Sequence, residues 1–193
     1  QRLGTDTIDL YQLHRPDVLM DPAEIAGAFA KLKAQGKVRE FGVSNFTPTQ
    51  VTALQRAFPM PLLVNQVQIH LGDLHCFVDG TLDQCLAENI TPLAWSPLGA
   101  GLLGDGAKRL LPAQQKYQTA PVVAALDEVA KARGVSRTTV ALAWLLKHPA
   151  RMVPILGSIN PAHIREAIKA DELELTREEW YRLLAAARGE ALP

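Results

Sequence analysis

Short apolar stretches alternate with stretches of helical period along the whole chain, and this alternation constrains the fold more than any other feature. The apolar stretches have the length and the β-branched and aromatic content of buried strands. They predict strands over residues 37–44, 62–68, 91–96 and 151–156, and a first strand within residues 7–16 whose apolar run stops at His14 and which Pro16 ends. Because strands and helices follow one another in turn, the pattern predicts a parallel α/β sheet with right-handed crossovers.

Helix signals lie between the predicted strands. Asp21 followed by Pro22 is a typical helix start, and Gly36 ends that helix. The spacing predicts helices over residues 23–35, 49–57, 81–88, 120–133 and 137–147, and two more that begin at Pro161 and after Thr176. Thr176 and Glu179 have the spacing of a capping box. Residues 69–80 and 97–119 show no sustained period, so we expect loops there.

The composition argues against several classes of protein. The 193 residues carry 20 basic and 20 acidic side chains, and this balance gives no sign of binding to nucleic acid or to an anionic membrane. No apolar run reaches the ~18 residues that a membrane helix needs. The first residues resemble neither a signal peptide nor a transit peptide. We therefore expect one cytoplasmic domain, with Cys76 and Cys85 as reduced structural thiols and with no metal site.

Two α/β architectures fit the alternation. A doubly wound sheet is complete with five strands, whereas a barrel needs eight strands and roughly 250 residues. Residues 99–104 match the GxGxxG pattern of dinucleotide-binding folds, but they lead to Asp105 and Pro112 rather than directly into a helix. We interpret this stretch as a flexible loop. Composition and periodicity leave the choice between the two architectures open.

Polar, aromatic or small residues lie at or near the end of every predicted strand. They are His14, Ser44, Asn45, Asn65, Gln66, Trp95, Ser96, Gly157 and Ser158. Because the C-terminal ends of parallel strands face the ligand, these residues predict one concave site for a polar ring and a phosphate. His163 and Arg165 lie on the helix that follows, whose N-terminus favours an anion. Each residue also has a structural interpretation, as a turn former or as part of the core.

Several stretches resemble the signatures of the aldo-keto reductases. Residues 3–16 (LGTDTIDLYQLHRP) resemble the central signature of that family, and residues 36–46 (GKVREFGVSNF) resemble the next one. The pair Asn65 and Gln66, residues 94–99 (AWSPLG) and residues 153–158 (VPILGS) follow in the family's order. The resemblance covers essentially the whole chain and is nearest to the bacterial YdhF-like oxidoreductases.

The resemblance implies a (β/α)8 barrel of the TIM type. Residues 1–193 would form its C-terminal five βα units, a single domain that is N-terminally incomplete and lacks the first three strands. The family's catalytic tetrad is Asp, Tyr, Lys and His, and only the His has a match, at His14. We therefore expect a truncated chain that is inactive alone. It would be a fragment of a longer product, an incomplete gene prediction or a chain completed by a partner, and its open barrel edges would favour self-association.

The resemblance also implies a nicotinamide cofactor, NADP(H), with NAD(H) as the alternative. Ser44, Asn45 and Gln66 would bond the nicotinamide carboxamide, and Trp95 would stack on the ring. The phosphate and adenosine parts would lie against Ser96, Pro97, Leu98, Gly99, Gly101, Gly157, Ser158, Asn160 and Glu166. His163 stands where many relatives have the Arg that holds the 2′-phosphate, and Ala167 stands where they have an Asn. These two departures leave the preference between NADPH and NADH open.

The implied activity is that of an NAD(P)-dependent oxidoreductase that reduces an aldehyde or ketone. NAD(P)H would give a hydride to the carbonyl carbon while an acid protonates the oxygen. The partner would be a small carbonyl substrate rather than nucleic acid or a membrane. The alternative is a non-catalytic NAD(P)-binding module, like the channel-associated subunits that resemble this family. A doubly wound protein is a further alternative, but residues 14–17 (HRPD) are unlike the phosphate loop that it needs after its first strand.

Overall fold

The structure is a computed structural model that describes residues 3–105, 117 and 119–190. The strands are β1 (Ile8–Leu13), β2 (Val38–Ser44), β3 (Leu62–Gln68), β4 (Thr91–Trp95) and β5 (Val153–Pro154). The helices are α1 (Pro22–Ala34), α2 (Pro48–Ala57), α3 (Thr81–Glu88), α4 (Ala120–Arg133), α5 (Arg137–Leu146), α6 (Pro161–Ile168) and α7 (Arg177–Arg188). Two short 3₁₀ turns lie at His75–Phe77 and Lys169–Asp171.

The strands form one sheet in which each lies beside its neighbours in sequence, in the order β1-β2-β3-β4-β5. β1 pairs parallel with β2, and Leu13 lies opposite Val43. β2 pairs parallel with β3, and Ser44 lies opposite Gln66. A sequential order is typical of successive βα units in a barrel, whereas a doubly wound sheet reverses its order at a switch point. The sheet therefore confirms the α/β prediction and favours the barrel type.

The described chain forms two compact units. The first consists of Gln1–Val67 and Phe77–Leu93, and it contains β1, β2 and α1 to α3. The second consists of Gln68–Cys76 and Ala94–Pro193, and it contains α4 to α7 and β5. The expectation that the whole chain is one domain stays a prediction.

Three phenylalanines form the centre of the first unit's core. The rings of Phe29 and Phe41 stack with their centroids 4.2 Å apart. The edge of Phe58 meets both rings, at 5.3 Å and 5.4 Å. All three side chains are buried. Since Phe29 lies on α1, Phe41 on β2 and Phe58 directly after α2, their contact packs both helices against the sheet.

Two tryptophans join α5 to α7 in the second unit. The indole N–H of Trp144 donates to the backbone oxygen of Trp180 at 3.2 Å, and that of Trp180 donates to the backbone oxygen of Trp144 at 2.9 Å. Their rings stack 5.1 Å apart. Glu179 of the Thr176 capping box also accepts two hydrogen bonds from Arg133 of α4, at 2.8 Å and 2.7 Å. These contacts fix α7 against its two neighbouring helices.

Most of the predicted element bounds are confirmed. β3, α3 and α4 have the bounds that the sequence predicts, and Ser136 caps α5 as expected. β5 is shorter than the predicted strand over residues 151–156 because Arg151 takes a left-handed conformation with φ 54° and Pro154 has no N–H for a ladder. The loop predicted over residues 69–80 contains a 3₁₀ turn. Residues 106–116 and 118 of the other predicted loop lie outside the described residues.

The structure also bears on the expected reduced thiols and on the expectation that no apolar run is long enough for a membrane helix. Cys76 and Cys85 are both buried and form no disulfide with each other. Burial, with the nearby charges of Glu88 and Asp79, raises the pKa of the Cys85 thiol to about 12, so this thiol stays protonated at neutral pH. Within the part of the chain that the structure describes, no helix has the length and apolar character to cross a membrane.

Gly42 of β2 lies close to Val64 of β3, and its replacement tests the sheet. A Cβ at Gly42 would lie 2.4 Å from Cγ2 of Val64 and 2.9 Å from its backbone oxygen. Because the neighbouring backbone would have to shift, we expect Gly42→Ala to lower the free energy of unfolding by about 2–3 kcal/mol. At Gly27 of α1 a Cβ meets nothing within 4 Å, so Gly27→Ala should raise it by about 0.5–1 kcal/mol. Urea unfolding measures both, and an unchanged stability of Gly42→Ala would contradict the close approach.

Candidate functional site

The ends of β1, β2 and β3 bring four predicted site residues together in the first unit. The hydroxyl of Ser44 donates to the backbone oxygen of Gln66 at 2.8 Å, and the backbone N–H of Asn45 donates to the same oxygen at 2.9 Å. Nδ2 of Asn45 donates to the hydroxyl oxygen of Ser44 at 2.9 Å and to the backbone oxygen of His14 at 3.4 Å. His14, Ser44, Asn45 and Gln66 therefore form one hydrogen-bonded group.

A buried amide lies beside this group. Nδ2 of Asn65 donates to the backbone oxygen of Phe46 at 2.9 Å, and Asn65 is only 2% exposed. Its Oδ1 is buried and has no hydrogen-bond partner among the residues that the structure describes. A buried acceptor without a donor is unfavourable. This oxygen is therefore ready to accept a hydrogen bond from a ligand or a water.

The second unit contains a cavity of about 870 Å³. Four segments form its wall: the loop after β4, the first turn of α5, the segment after β5, and α6. The predicted cofactor residues that line it are Ser96, Pro97, Leu98, Gly101, Gly157, Ser158, His163 and Glu166. Its volume lies within the range of roughly 300–1,000 Å³ that is typical of small-molecule and cofactor pockets.

The loop after β4, residues 96–105, is called the β4 loop below. It consists of successive turns, in which the N–H of Gly99 donates to the oxygen of Ser96 at 2.8 Å and that of Gly101 donates to the oxygen of Leu98 at 3.0 Å. Ser96 and Ala100 take left-handed conformations, with φ of 51° and 54°. The GxGxxG residues 99–104 therefore form turns along the cavity and do not open a helix. Their interpretation as a loop is confirmed.

Two carboxylates lie in the cavity wall. Asp105 accepts hydrogen bonds from the N–H of Thr138 at 3.0 Å and from its hydroxyl at 2.6 Å. Burial alone would raise the pKa of Asp105, but these hydrogen bonds outweigh burial and hold the pKa below its ordinary value. The ammonium of Lys169, 2.7 Å away, holds the pKa of Glu166 below its usual range, and the hydroxyl of Thr139 donates to Glu166 at 3.2 Å. Both carboxylates are therefore ionised at neutral pH.

The start of α6 forms the opposite side of the cavity. The hydroxyl of Ser158 lies 3.1 Å from Nδ1 of His163 and accepts from the backbone N–H of Asn160 at 3.2 Å. The side chain of Asn160 caps α6 by accepting from the N–H of Ala162 at 2.9 Å. Among the described lining residues, His163 is the one basic side chain. Arg165 lies on the same helix but does not line the cavity.

Some predicted residues lie elsewhere, and others were missed. Trp95, Gly99 and Asn160 do not line the cavity, and a Cβ at Gly99 would meet the ring of His70 at 3.4 Å instead. Asp105 and Thr138 do line it, but sequence reasoning gave neither of them a role. They lie 33 residues apart, and no local pattern pairs an acidic loop residue with a threonine in a later helix.

The comparison with sequence families decides the identification. The profile of the Aldo/keto reductase family matches residues 1–188. The chain belongs to the aldo/keto reductase family. It is 45% identical over 192 residues to the 6-dehydroglucose reductase of Novosphingobium aromaticivorans, a match that covers 100% of this chain. It is 40% identical over 191 residues to the oxidoreductase YdhF of Escherichia coli, a match that covers 99% of this chain.

A solved aldo/keto reductase has the same fold over almost the whole chain. The aldo/keto reductase from Klebsiella pneumoniae in complex with NADP and acetate superposes with a TM-score of 0.79 at 28% sequence identity, over 94% of this chain and 59% of that chain. These matches confirm the predicted family, the likeness to YdhF and the TIM-barrel type of fold. This chain spans 60% of the length of the Novosphingobium relative and 61% of the length of YdhF.

Asn45, directly after β2, takes a left-handed conformation with φ 59°. Substitution of this residue tests the geometry of the strand ends. Asn45→Ala and Asn45→Gly both remove the amide hydrogen bonds, but only Ala strains the backbone. We therefore expect Asn45→Ala to lower the free energy of unfolding by about 1–2 kcal/mol more than Asn45→Gly does. Urea unfolding of the two variants measures the difference. An Ala variant as stable as the Gly variant would show that this conformation is not held in solution.

Proposed function

We propose that the chain binds a nicotinamide dinucleotide, NADP(H) or NAD(H), and that the phosphate and adenosine parts occupy the cavity of the second unit. The observation that carries the proposal is the cavity itself, whose wall combines small residues, apolar side chains and residues of α6. A Cβ at Gly157 would meet nothing within 4 Å, so the cavity is open beside that backbone. The NADP in the Klebsiella pneumoniae relative supports this assignment.

The residues of the cavity suit the parts of a dinucleotide. Small residues such as Gly101 and Gly157 let a phosphate approach the backbone closely. The positive end of α6 favours an anion, and His163 in its first turn can donate a hydrogen bond to it. The lining carboxylates Asp105 and Glu166 hold hydrogen bonds within the chain, so the start of α6 is the part of the wall that suits the phosphates.

A separate proposal concerns the residues at the strand ends of the first unit. On the family resemblance, Ser44, Asn45 and Gln66 hold the nicotinamide carboxamide. Asn45 and Gln66 carry amide groups that can both donate and accept, as a carboxamide requires. The hydrogen bonds from the hydroxyl of Ser44 to the backbone oxygen of Gln66 and from Nδ2 of Asn45 to the hydroxyl of Ser44 support this role, since they fix both side chains before a ligand arrives.

The activity that we propose for the protein to which these residues belong is reduction of an aldehyde or ketone to an alcohol. The bound cofactor supplies the hydride. His14 lies after β1 and donates a hydrogen bond to the carbonyl oxygen, which orients the substrate and polarises it. The name of the Novosphingobium relative makes a sugar carbonyl the first substrate class to test.

A cofactor titration with two matched glycine variants tests the binding proposal. Gly157→Val adds a side chain to the cavity where the fold has room for it, so the variant should fold. Its Kd for NADPH should be about tenfold higher or more, which corresponds to ~1.4 kcal/mol of binding free energy. Gly27→Ala adds a methyl group in α1 and should leave that Kd unchanged. Quenching of tryptophan fluorescence and calorimetry measure both Kd values, with NADH titrated in parallel. Equal affinity of the two variants would exclude the cavity as the site.

Turnover tests whether the 193-residue polypeptide is inactive alone. Of the tetrad that the resemblance implies, these residues contain only His14, so proton transfer by a placed acid, typically worth roughly 10²- to 10⁴-fold in rate, is missing. We expect NADPH to bind but not to be oxidised above the background rate. That rate should be the same in the unchanged chain and in His14→Ala. Loss of NADPH absorbance in the presence of an aldehyde measures the rate. A rate in the unchanged chain that clearly exceeds that of His14→Ala would contradict this expectation.

A further inference from the structure

The β4 loop is joined to the start of α5 by hydrogen bonds around Asp105. The carboxylate accepts from the backbone N–H groups of Arg137 at 3.2 Å and Thr138 at 3.0 Å. The hydroxyl of Thr138 donates to the same carboxylate at 2.6 Å and accepts from the backbone N–H of Asp105 at 3.3 Å. The guanidinium of Arg137 donates to the backbone oxygen of Gly104 at 3.1 Å. Gly104 and Asp105 are thus bound to the first turn of α5 from both directions.

This contact adds to the ordinary cap of the helix. The hydroxyl of Ser136 already accepts from the N–H of Thr139 at 3.1 Å and so caps α5 from within its own sequence. Asp105 takes two other N–H groups of the first turn, which have no partner inside a helix. A carboxylate is also favoured there by the helix dipole. The start of α5 therefore provides a strong anchor for a residue of the β4 loop.

The anchored residues are themselves part of the cavity wall. Gly104, Asp105 and Thr138 all line the cavity, together with Leu98 and Gly101 from the same loop. The fit between loop and helix is close, since a Cβ at Gly104 would lie 3.1 Å from the hydroxyl oxygen of Thr138. The backbone hydrogen bonds of Gly99, Gly101 and Gly104 run to other residues of the loop. The shape of this wall therefore depends on how the loop is held at Gly104 and Asp105.

We propose that Asp105 is a positioning residue that, by binding Thr138, holds the β4 loop in the shape that admits a dinucleotide to the cavity. This proposal rests on the proposed function of the cavity. A loop released from α5 would take other shapes, and the measured Kd rises as the fraction of the chain in the competent shape falls. Asp105 acts through the loop and not by contact with the cofactor, whose phosphates it would repel.

The ionisation of Asp105 keeps the contact intact over the usual pH range. Burial raises the pKa of this carboxyl, but the hydrogen bonds from Thr138 and Arg137 bring it below its ordinary value of 3.8. A carboxyl with a lowered pKa contributes its stability above the ordinary value and loses it as the pH falls through the lowered one. The affinity for the dinucleotide should therefore show no step from Asp105 at neutral or mildly acidic pH.

Three variants of the 193-residue chain test the proposal. Asp105→Asn keeps the size of the side chain but turns one acceptor oxygen into a donor. Thr138→Val removes the hydroxyl from the other side of the same contact. Asp127→Asn is the matched control, because Asp127 accepts from the same Arg137 guanidinium at 2.7 Å and 2.8 Å but does not line the cavity. The Kd for NADPH and the hydrogen exchange of backbone amides in the β4 loop are measured for each.

The expected pattern distinguishes positioning from general stability. Asp105→Asn and Thr138→Val should each raise the Kd about tenfold, as for loss of a hydrogen bond to a charged group, while Asp127→Asn changes it less than about twofold. The double variant should bind NADPH no more weakly than the single variant with the higher Kd, because both substitutions act on one contact. Exchange in the β4 loop should become faster in Asp105→Asn and Thr138→Val but not in Asp127→Asn.

The failures of the two proposals can be told apart. If the unchanged chain binds NADPH and both contact variants bind it equally well, Asp105 does not position the loop and the inference is wrong. If the unchanged chain does not bind NADPH, the proposed function of the cavity fails. In that case the positioning inference fails with it, whereas faster exchange in the loop of Asp105→Asn and Thr138→Val would still show that the contact holds the loop.

Discussion

The parallel pairing of β2 with β3 is the constraint on which the rest of the first unit depends. The register of this pairing shifts by one residue between Phe41, which lies opposite Leu62, and Val43, which lies opposite Asn65. Before the shift, Phe41 is buried and packs against Phe29 of α1, and after it Ser44 lies opposite Gln66. Gly42 leaves room for the side chain of Val64. The pairing of β2 with β3 thus supports the helix packing before the register shift and the hydrogen bonds at the strand ends after it.

The second unit builds its cavity wall from a turn-rich loop instead of a strand. Ser96 and Ala100 take left-handed conformations that side chains rarely adopt, so the surrounding hydrogen bonds must compensate for the strain. Asp105 of the same loop contacts the first turn of α5. The stacked pair of Trp144 and Trp180 holds α5 itself against α7. The wall therefore depends on packing far from the cavity.

Local signals made most of the fold predictable. The caps at Ser136 and Thr176 act within one turn of their own helices, so their residue types are sufficient to place the helix starts. The predicted length of β5 was too great. The apolar stretch is typical of a longer strand, but the left-handed Arg151 and the missing N–H of Pro154 limit the strand to two residues. The position of the site residues at the strand ends was predictable from the order of the elements along the chain. That Ser44 and Asn45 both donate to the backbone oxygen of Gln66 was not predictable.

The sequence by itself determined the alternation of strands and helices, the helix starts and the family, because each depends on residues close together in the chain or on whole motifs. Only the tertiary structure decided which residues meet across long separations. Asp105 and Thr138 lie 33 residues apart, and His14 lies 31 residues before Asn45. Such contacts depend on how the strands, loops and helices pack, and no local pattern of residue types contains that information.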